Sequence, residues 1–406
     1  MPTRRSTHRL CSTFGLSALM GIGLLLQATQ VTQVHAGEVT LYGGVDISVG
    51  YVHTSYNGST ANDVSMYSSV LNDSMIGFRG SEMLSDGWSV SFDLASEINA
   101  YDGTLSYDSY FGLQSTLGLK HQDWGSLDFG RQQTISTNIV GNFDPMQISF
   151  GQASMSTSFT AINTQIYDNM IQYTSPTWSG FQFGLGYSFN TGDTALYADS
   201  DGGSVVPSST GFGTNNKMRA LSAAMQYNSG PLLLVASYDR AFASSTIPDG
   251  SSTTATLINP EQASPQAWYF GAAYTLDKVV LSAAWGRGIN GVFSGSGPIS
   301  SSPLPVLTGE ADMLFSQGFN QNSYLLGMSW TIDDDTQFMA SWQMLKPTGQ
   351  LASTPGFAAQ QVVGAALVYS LSKRTAVYAW ASYSNNLEMA SGAKATVIGT
   401  GIQTAF

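Results

Sequence analysis

Residues able to do covalent chemistry are few and scattered. Past residue 36 only two histidines remain, His53 and His121, and the one cysteine, Cys11, lies before that point. Nucleophilic hydrolysis needs a nucleophile, a base and an orienting group within hydrogen-bond reach. His53 leads into a long polar segment and His121 falls in a short-turn region, so they share no evident site. Serines are too common to single one out. Neither a cysteine metal site nor a disulfide framework is available. The expectation is therefore no catalytic residue, no metal and no cofactor. What remains is charge: Asp46, Asp93, Glu97 and Asp128 recur in stretches of otherwise apolar and small residues. Their use depends on the elements that hold them.

Charged residues make up 10% of the chain, against roughly 25% in a soluble domain. No segment past residue 36 approaches the 18 consecutive apolar residues of a membrane helix. A transmembrane barrel needs neither feature, because apolar residues alternate with small polar ones. The start of the chain reads as a signal peptide over 1–36: Arg4, Arg5 and Arg9 precede an apolar run from Phe14 to Leu26, and Val34-His35-Ala36 offers a cleavage site before Gly37. The run is too short for a comfortable stop-transfer helix, and Cys11 is misplaced for a lipoprotein anchor. Removing three arginines from fifteen basic residues leaves twelve against 27 acidic. That balance disfavours nucleic acid as a partner.

Period-2 alternation between turn signals gives sixteen runs, near 38–52, 73–81, 87–99, 107–119, 125–132, 167–175, 179–189, 217–227, 232–241, 266–276, 279–287, 321–332, 336–345, 360–371, 374–384 and 395–406. Short turns such as Ser85-Asp86-Gly87, Ser229-Gly230-Pro231 and Asp277-Lys278 alternate with long polar segments near 53–72, 133–166, 190–216, 242–265, 288–320, 346–359 and 385–394. Sorting of loop lengths by end is the mark of an outer-membrane barrel. The fold expected is all-β: a sixteen-stranded transmembrane antiparallel barrel in one domain over 37–406. Asp46, Asp93, Glu97 and Asp128 fall on lumen faces, where ordinary wetting of the wall is their simplest role. Residues 190–216 and 288–305 read as mobile external loops. Residues 133–166 differ, carrying Ile135, Ile139, Val140, Phe143, Met146, Phe150, Met155 and Phe159. A loop this apolar needs burial, and the barrel lumen is the enclosed volume on offer.

An ordered set of motifs then resembles the Gram-negative general diffusion porins, the proteobacterial type with sixteen strands and trimeric assembly. It runs from Val39-Thr40-Leu41-Tyr42-Gly43 through Ile76-Gly77-Phe78-Arg79-Gly80 to Gly125-Ser126-Leu127-Asp128-Phe129-Gly130-Arg131-Gln132. Asp168-Asn169, Tyr173-Thr174-Ser175-Pro176, Leu371-Ser372-Lys373-Arg374-Thr375 and a final Phe406 follow. The resemblance implies that 133–166 narrows the lumen as a constriction loop. It also implies that Arg79 and Arg131 belong to a basic cluster facing loop acids, of which Asp144 is the only one. Met75, Ile166 and Tyr167 stand where relatives often carry basic residues, so the cluster is thinned. Strict alternation would put Arg131 on the lipid face, and a bulge at Gly130 is expected to turn it inward.

The function so implied is an outer-membrane channel for passive diffusion of small hydrophilic solutes and ions, with a mild preference for cations. A substrate-specific channel for sugars or organic acids is the alternative, and an enzyme or a plugged adhesin barrel fits less well. Implied partners are two further copies in a homotrimer, membrane lipid with lipopolysaccharide, and the barrel assembly machinery, which reads Phe406.

Overall fold

The computed structural model describes residues 39–107, 109–162, 166–192, 195–197, 204–206, 218–242, 264–293 and 313–406. The expected signal peptide, and most of 190–216, 242–265 and 288–320, lie outside the described residues.

Among the described residues, strands at sixteen positions close one antiparallel barrel. Thr40–Tyr56 pairs on one edge with Lys394–Ala405, in register from Gly44 with Ala405 to Ser55 with Lys394. Its other edge takes two successive pieces, Met75–Met83 below and Ser59–Ser68 above. From Met75–Met83 each strand pairs with the next: Trp88–Glu97, Gln114–His121, Gly125–Gln133, Ile166–Thr174, Phe181–Ser188, Arg219–Ser229, Leu232–Phe242 and Gln266–Leu276. Val279–Ile289, Asn320–Thr331, Thr336–Thr348, Gln360–Ser370 and Thr375–Asn385 complete the circuit to Lys394–Ala405. Closure leaves no sheet edge for lipid to meet, which a strand protein in hydrocarbon requires.

Alternation decides the faces. Val45, Val49 and Tyr51 point outward and are exposed, whereas Asp46, Ser48 and Gly50 between them are buried. Trp268, Phe270, Tyr274 and Leu276 repeat the outward stripe on Gln266–Leu276. Exposed apolar side chains on every second position are what a lipid-facing wall needs.

Two stretches differ from the sequence reading. Segment 53–72 is not one long loop: Thr40–Tyr56 runs on into a hairpin with Ser59–Ser68 through the two residues Asn57-Gly58, both at positive φ (49° and 79°). Asn-Gly at such positions is the preferred two-residue hairpin turn, and its local signal was outweighed by the polar run around it. Residues 107 and 109–113, read as part of a strand, instead belong with 98–106 to a loop, turned tightly where the Asn99 N–H meets the Thr104 carbonyl at 2.8 Å. Short segments of the external loops, Ala195–Tyr197, Ser204–Val206, Gly291–Val292 and Met313–Phe315, form a separate four-stranded sheet.

Gly43 marks the closure seam. A side chain there would collide with the Met75 carbonyl oxygen and reach within 2.8 Å of the Phe406 ring. Overpacking of this kind costs about 1–3 kcal/mol. Gly43→Val is expected to lower the temperature at which the folded band is lost in semi-native electrophoresis; an unchanged transition would contradict this account of the seam.

Candidate functional site

The loop between Gly125–Gln133 and Ile166–Thr174 is built to be enclosed. Thr134 caps a short helix, Ile135–Val140, by accepting from the Thr137 N–H, and a 3₁₀ turn, Gly141–Phe143, follows until Asp144-Pro145 breaks it. Ile135, Ile139, Phe143, Met146, Phe150, Met155 and Phe159 are all buried. They are buried against the inner wall, because the wall offers small residues and donors. A Cβ on Gly184, Gly271, Gly327 or Gly364 would strike Ile135, Phe143, Pro145 or Ala153 respectively. Ser282 donates to the Phe143 carbonyl at 2.9 Å, Ser341 to that of Ala153 at 3.0 Å, and Gln360 to that of Thr157 at 3.1 Å. Gln343 donates to the Ala153 and Ser154 carbonyls at 3.1 and 2.7 Å. The loop therefore lies in the lumen along the wall from Arg219–Ser229 round to Thr375–Asn385.

Its far turn is strained and anchored. Gln147, Ile148 and Phe150 all have positive φ, from 54° to 65°, which is unfavourable for a β-branched residue such as Ile148. Asp144 holds this turn: its carboxylate accepts from the backbone N–H groups of Met146, Ile148 and Met155 at 3.1, 2.9 and 3.1 Å. Expected as the loop's acid facing the pore, Asp144 is instead enclosed by the loop, because the strained turn needs its oxygens. Burial pushes its carboxyl up to about 6, against the pull of those N–H groups.

Asp46 also differs from the expected wall residue. It is fully buried, accepting from Tyr378 Oη and from the N–H groups of Leu71 and Asn72 at 2.6 and 2.8 Å. It thus fixes the break between Ser59–Ser68 and Met75–Met83. That break in turn takes the loop tip, since the Phe150 N–H donates to the Val70 carbonyl at 2.7 Å and Ser149 Oγ to that of Leu71, also at 2.7 Å.

The wall left open runs from Thr40–Tyr56 to Gly125–Gln133. Arg79 is exposed there, its guanidinium 4.9 Å from the Tyr42 ring centroid, and Tyr42 donates to Asp93, the cross-strand neighbour of Arg79. Asp128 sits over Gly118, and Glu97 is hydrogen-bonded by Ser69, Ser106 and Tyr107. The pairing register shifts between Gly130 and Gln132. This bulge brings Arg131 to Asp168 at 2.8 Å and to the Gly112 carbonyl at 2.6 Å, with the Tyr107 ring 5.4 Å away. Arg131–Asp168 is the one ion pair among the described residues. His53 and His121 lie on separate elements, bonded to Asn62 and to the Asp86 carbonyl. No group of three potential metal ligands gathers among the described residues.

Sequence reasoning missed Tyr42, Tyr107 and Asp168, and also the loop's own solvent edge. Asn138, Asn142 and Gln147 are the loop side chains that stay exposed, facing the lumen away from the wall. Asn138 and Asn142 are four apart, one helical turn, among otherwise apolar neighbours; that spacing was the available signal.

A family model described as Gram-negative porin matches residues 17–388. An outer membrane porin protein of Bordetella pertussis is 36% identical over 384 residues, spanning 91% of this chain and 94% of that one. Outer membrane porin protein 32 of Delftia acidovorans is 27% identical over 217 residues, 52% of this chain and 56% of that one. Among solved structures, the anion-selective porin from Comamonas acidovorans superposes with a TM-score of 0.65 at 20% identity, covering 91% of this chain and all of that one. At that identity the structural likeness carries the fold alone.

Replacing Gln343 by Leu removes two donors to the loop, each worth about 1 kcal/mol net. Gln343→Leu is expected to raise open-channel current noise and speed proteolysis within 144–158, with folding intact; a quiet, resistant channel would contradict the seating. Because the Asp144 carboxyl titrates higher in the folded loop than in an unfolded chain, its contribution is fully present below about pH 4. It is lost as pH rises through about 6. Hydrogen exchange over 144–155, corrected for intrinsic rates, is expected to be faster at neutral pH than in mild acid, and Asp144→Asn should abolish the difference.

Proposed function

We propose, from the premise that this chain belongs to the Gram-negative porin family, that its pore passes small hydrophilic solutes with weak charge discrimination. It is an outer-membrane porin whose channel is the water-filled part of a sixteen-stranded barrel. The carrying observation is the loop edge, where Asn138, Asn142 and Gln147 present amides and the loop's acid is turned away. A transverse field needs opposite charges on opposite sides of the lumen. Here Arg79 and Asp93 are neighbours on one wall, so much of their field cancels locally. Asp93, Glu97 and Asp128 outnumber Arg79 and Lys120, the basic residues of that wall without an ion pair among the described residues, which supports a mild preference for cations.

Further parts of this reading rest on the family. Residues 1–36 act as a cleaved signal peptide, the working form is a homotrimer, lipopolysaccharide is a lipid neighbour, and Phe406, exposed beside Gly43, is read by the barrel assembly machinery. A channel of this kind carries out no reaction.

In planar bilayers a graded series of uncharged solutes is expected to lower conductance by size alone. Saturating block by one sugar or organic acid would overturn the general-pore reading. Across a salt gradient the reversal potential should have the sign of cation preference. Arg79→Gln should increase that preference by about two- to fivefold, the effect of one screened charge (~0.4–1 kcal/mol). An anion-selective potential in the unaltered protein would contradict the charge argument.

A further inference from the structure

The chain holds two Asn-Gly dipeptides, Asn57-Gly58 and Asn290-Gly291, and the fold treats them differently. Such a pair is chemically labile. A glycine has no Cβ to hinder its amide nitrogen as it approaches the side-chain carbonyl of the residue before it. Whether attack follows depends on how freely the chain can bring nitrogen and carbonyl carbon together.

Asn57 and Gly58 make up the whole tip of the hairpin between Thr40–Tyr56 and Ser59–Ser68, at φ 49° and 79°. Both are exposed, and a Cβ built on Gly58 meets no atom within 4 Å. Among the described residues no hydrogen bond holds the Asn57 carboxamide or the Gly58 N–H. Asn290-Gly291 is restrained at each of these points. Asn290 Oδ1 accepts from the Gly318 N–H at 3.0 Å, and the Gly291 N–H donates to the Phe319 carbonyl at 2.9 Å. Gly291 is buried, and the Leu314 carbonyl oxygen stands where its Cβ would be. The first pair can leave its turn conformation by fraying one hairpin end, whereas the second must break packed contacts to move.

We propose that Asn57 is a self-modifying site: the Gly58 nitrogen displaces ammonia from its side chain, and water converts the product to aspartate or isoaspartate. Hydroxide first takes the Gly58 amide proton. The nitrogen then bonds to Asn57 Cγ, and the Cγ–Nδ2 bond breaks to release ammonia. The five-membered imide so formed takes up one water, with no change of oxidation state. Cleavage between the nitrogen and Cγ restores the backbone and leaves aspartate. Cleavage between the nitrogen and the Asn57 carbonyl carbon routes the chain through the side chain and leaves isoaspartate. The first product sets a carboxylate at the hairpin tip. The second lengthens a two-residue turn by one methylene, and turn length fixes hairpin register. Thr40–Tyr56 stays paired with Lys394–Ala405 as far as Ser55, so the loosening falls on the start of Ser59–Ser68. The chemistry is independent of how the pore selects solutes.

The test incubates the purified, folded protein in detergent at neutral and mildly alkaline pH, in water enriched in heavy oxygen. Digestion and mass spectrometry then read the label at each Asn-Gly, and electron-transfer fragmentation separates aspartate from isoaspartate. Asn57 should convert about tenfold faster than Asn290 (~1.4 kcal/mol in the barrier), and faster at the higher pH. In the denatured protein the two should react at similar rates, which isolates the contribution of the fold. Equal conversion in the folded protein, or slower conversion at Asn57, would overturn the proposal. Hydrogen exchange over 59–66 should quicken as isoaspartate accumulates. It should stay constant through incubation in Asn57→Gly, which still accepts positive φ but has no side-chain carbonyl to attack. Unchanged exchange in isoaspartate-rich protein would contradict the loosening. Single-channel conductance of Asn57→Gly should equal that of the native protein, which keeps failure here distinct from failure of the porin reading.

Discussion

Ser282, Ser323, Ser341, Gln343 and Gln360 reach inward from four strands, and each donates to a carbonyl of the same loop. A loop inside a barrel carries backbone groups that neither a helix nor a sheet satisfies, and leaving them unpaired costs more than a hydrogen bond returns. The inner wall supplies the missing partners, and its glycines let the loop come close enough to use them. The position of the loop, and so the shape of the pore, follows from this match.

The open path consequently lies off-centre. Loop side chains fill the lumen beside Arg219–Ser229 to Gln360–Ser370, where Phe143, Met155, Phe159 and Ile162 pack with wall residues Val235, Tyr269 and Leu325. Phe293, Met313 and Phe315, from the external loop before Asn320–Thr331, extend the same apolar cluster. What stays wet is bounded by the loop's amide edge and by the strands that carry Tyr42, Arg79, Asp93 and Asp128. Among the described residues the charges beside this path sit on that wall, while Asp239 on the opposite wall is buried, and the strained turn at 147–150 is held by Asp144 together with its bonds to the Val70 and Leu71 carbonyls.

Much of the barrel was legible in the sequence because a half-buried strand must alternate. All sixteen runs correspond to strand positions, and the apolar content of 133–166 pointed to enclosure. The errors came where alternation carries no information. Residues 107–113 alternate by composition, yet Asp102-Gly103 and Gly112 bend the chain, and Tyr107, like Tyr42 and Met75, packs against the cluster of Ala95, Leu113 and Ile166. Asp46 lies on the inner face, as its parity demands. Parity cannot say that three donors enclose it, since those come from residues 25, 26 and 332 positions away. Asp144 shows the same limit: its type suggested a pore charge, while the backbone of a turn formed later in the chain decided its role.

Cysteine accessibility tests the seating of the loop most directly, since the described residues contain no cysteine. Asn142→Cys and Ala153→Cys would each be treated, in open channels, with a bulky membrane-impermeant thiol reagent. A stepwise fall in conductance is expected for Asn142→Cys, and no reaction for Ala153→Cys, whose side chain lies against Gly364. Rapid modification at position 153, or none at 142, would contradict a loop held face-down on the wall.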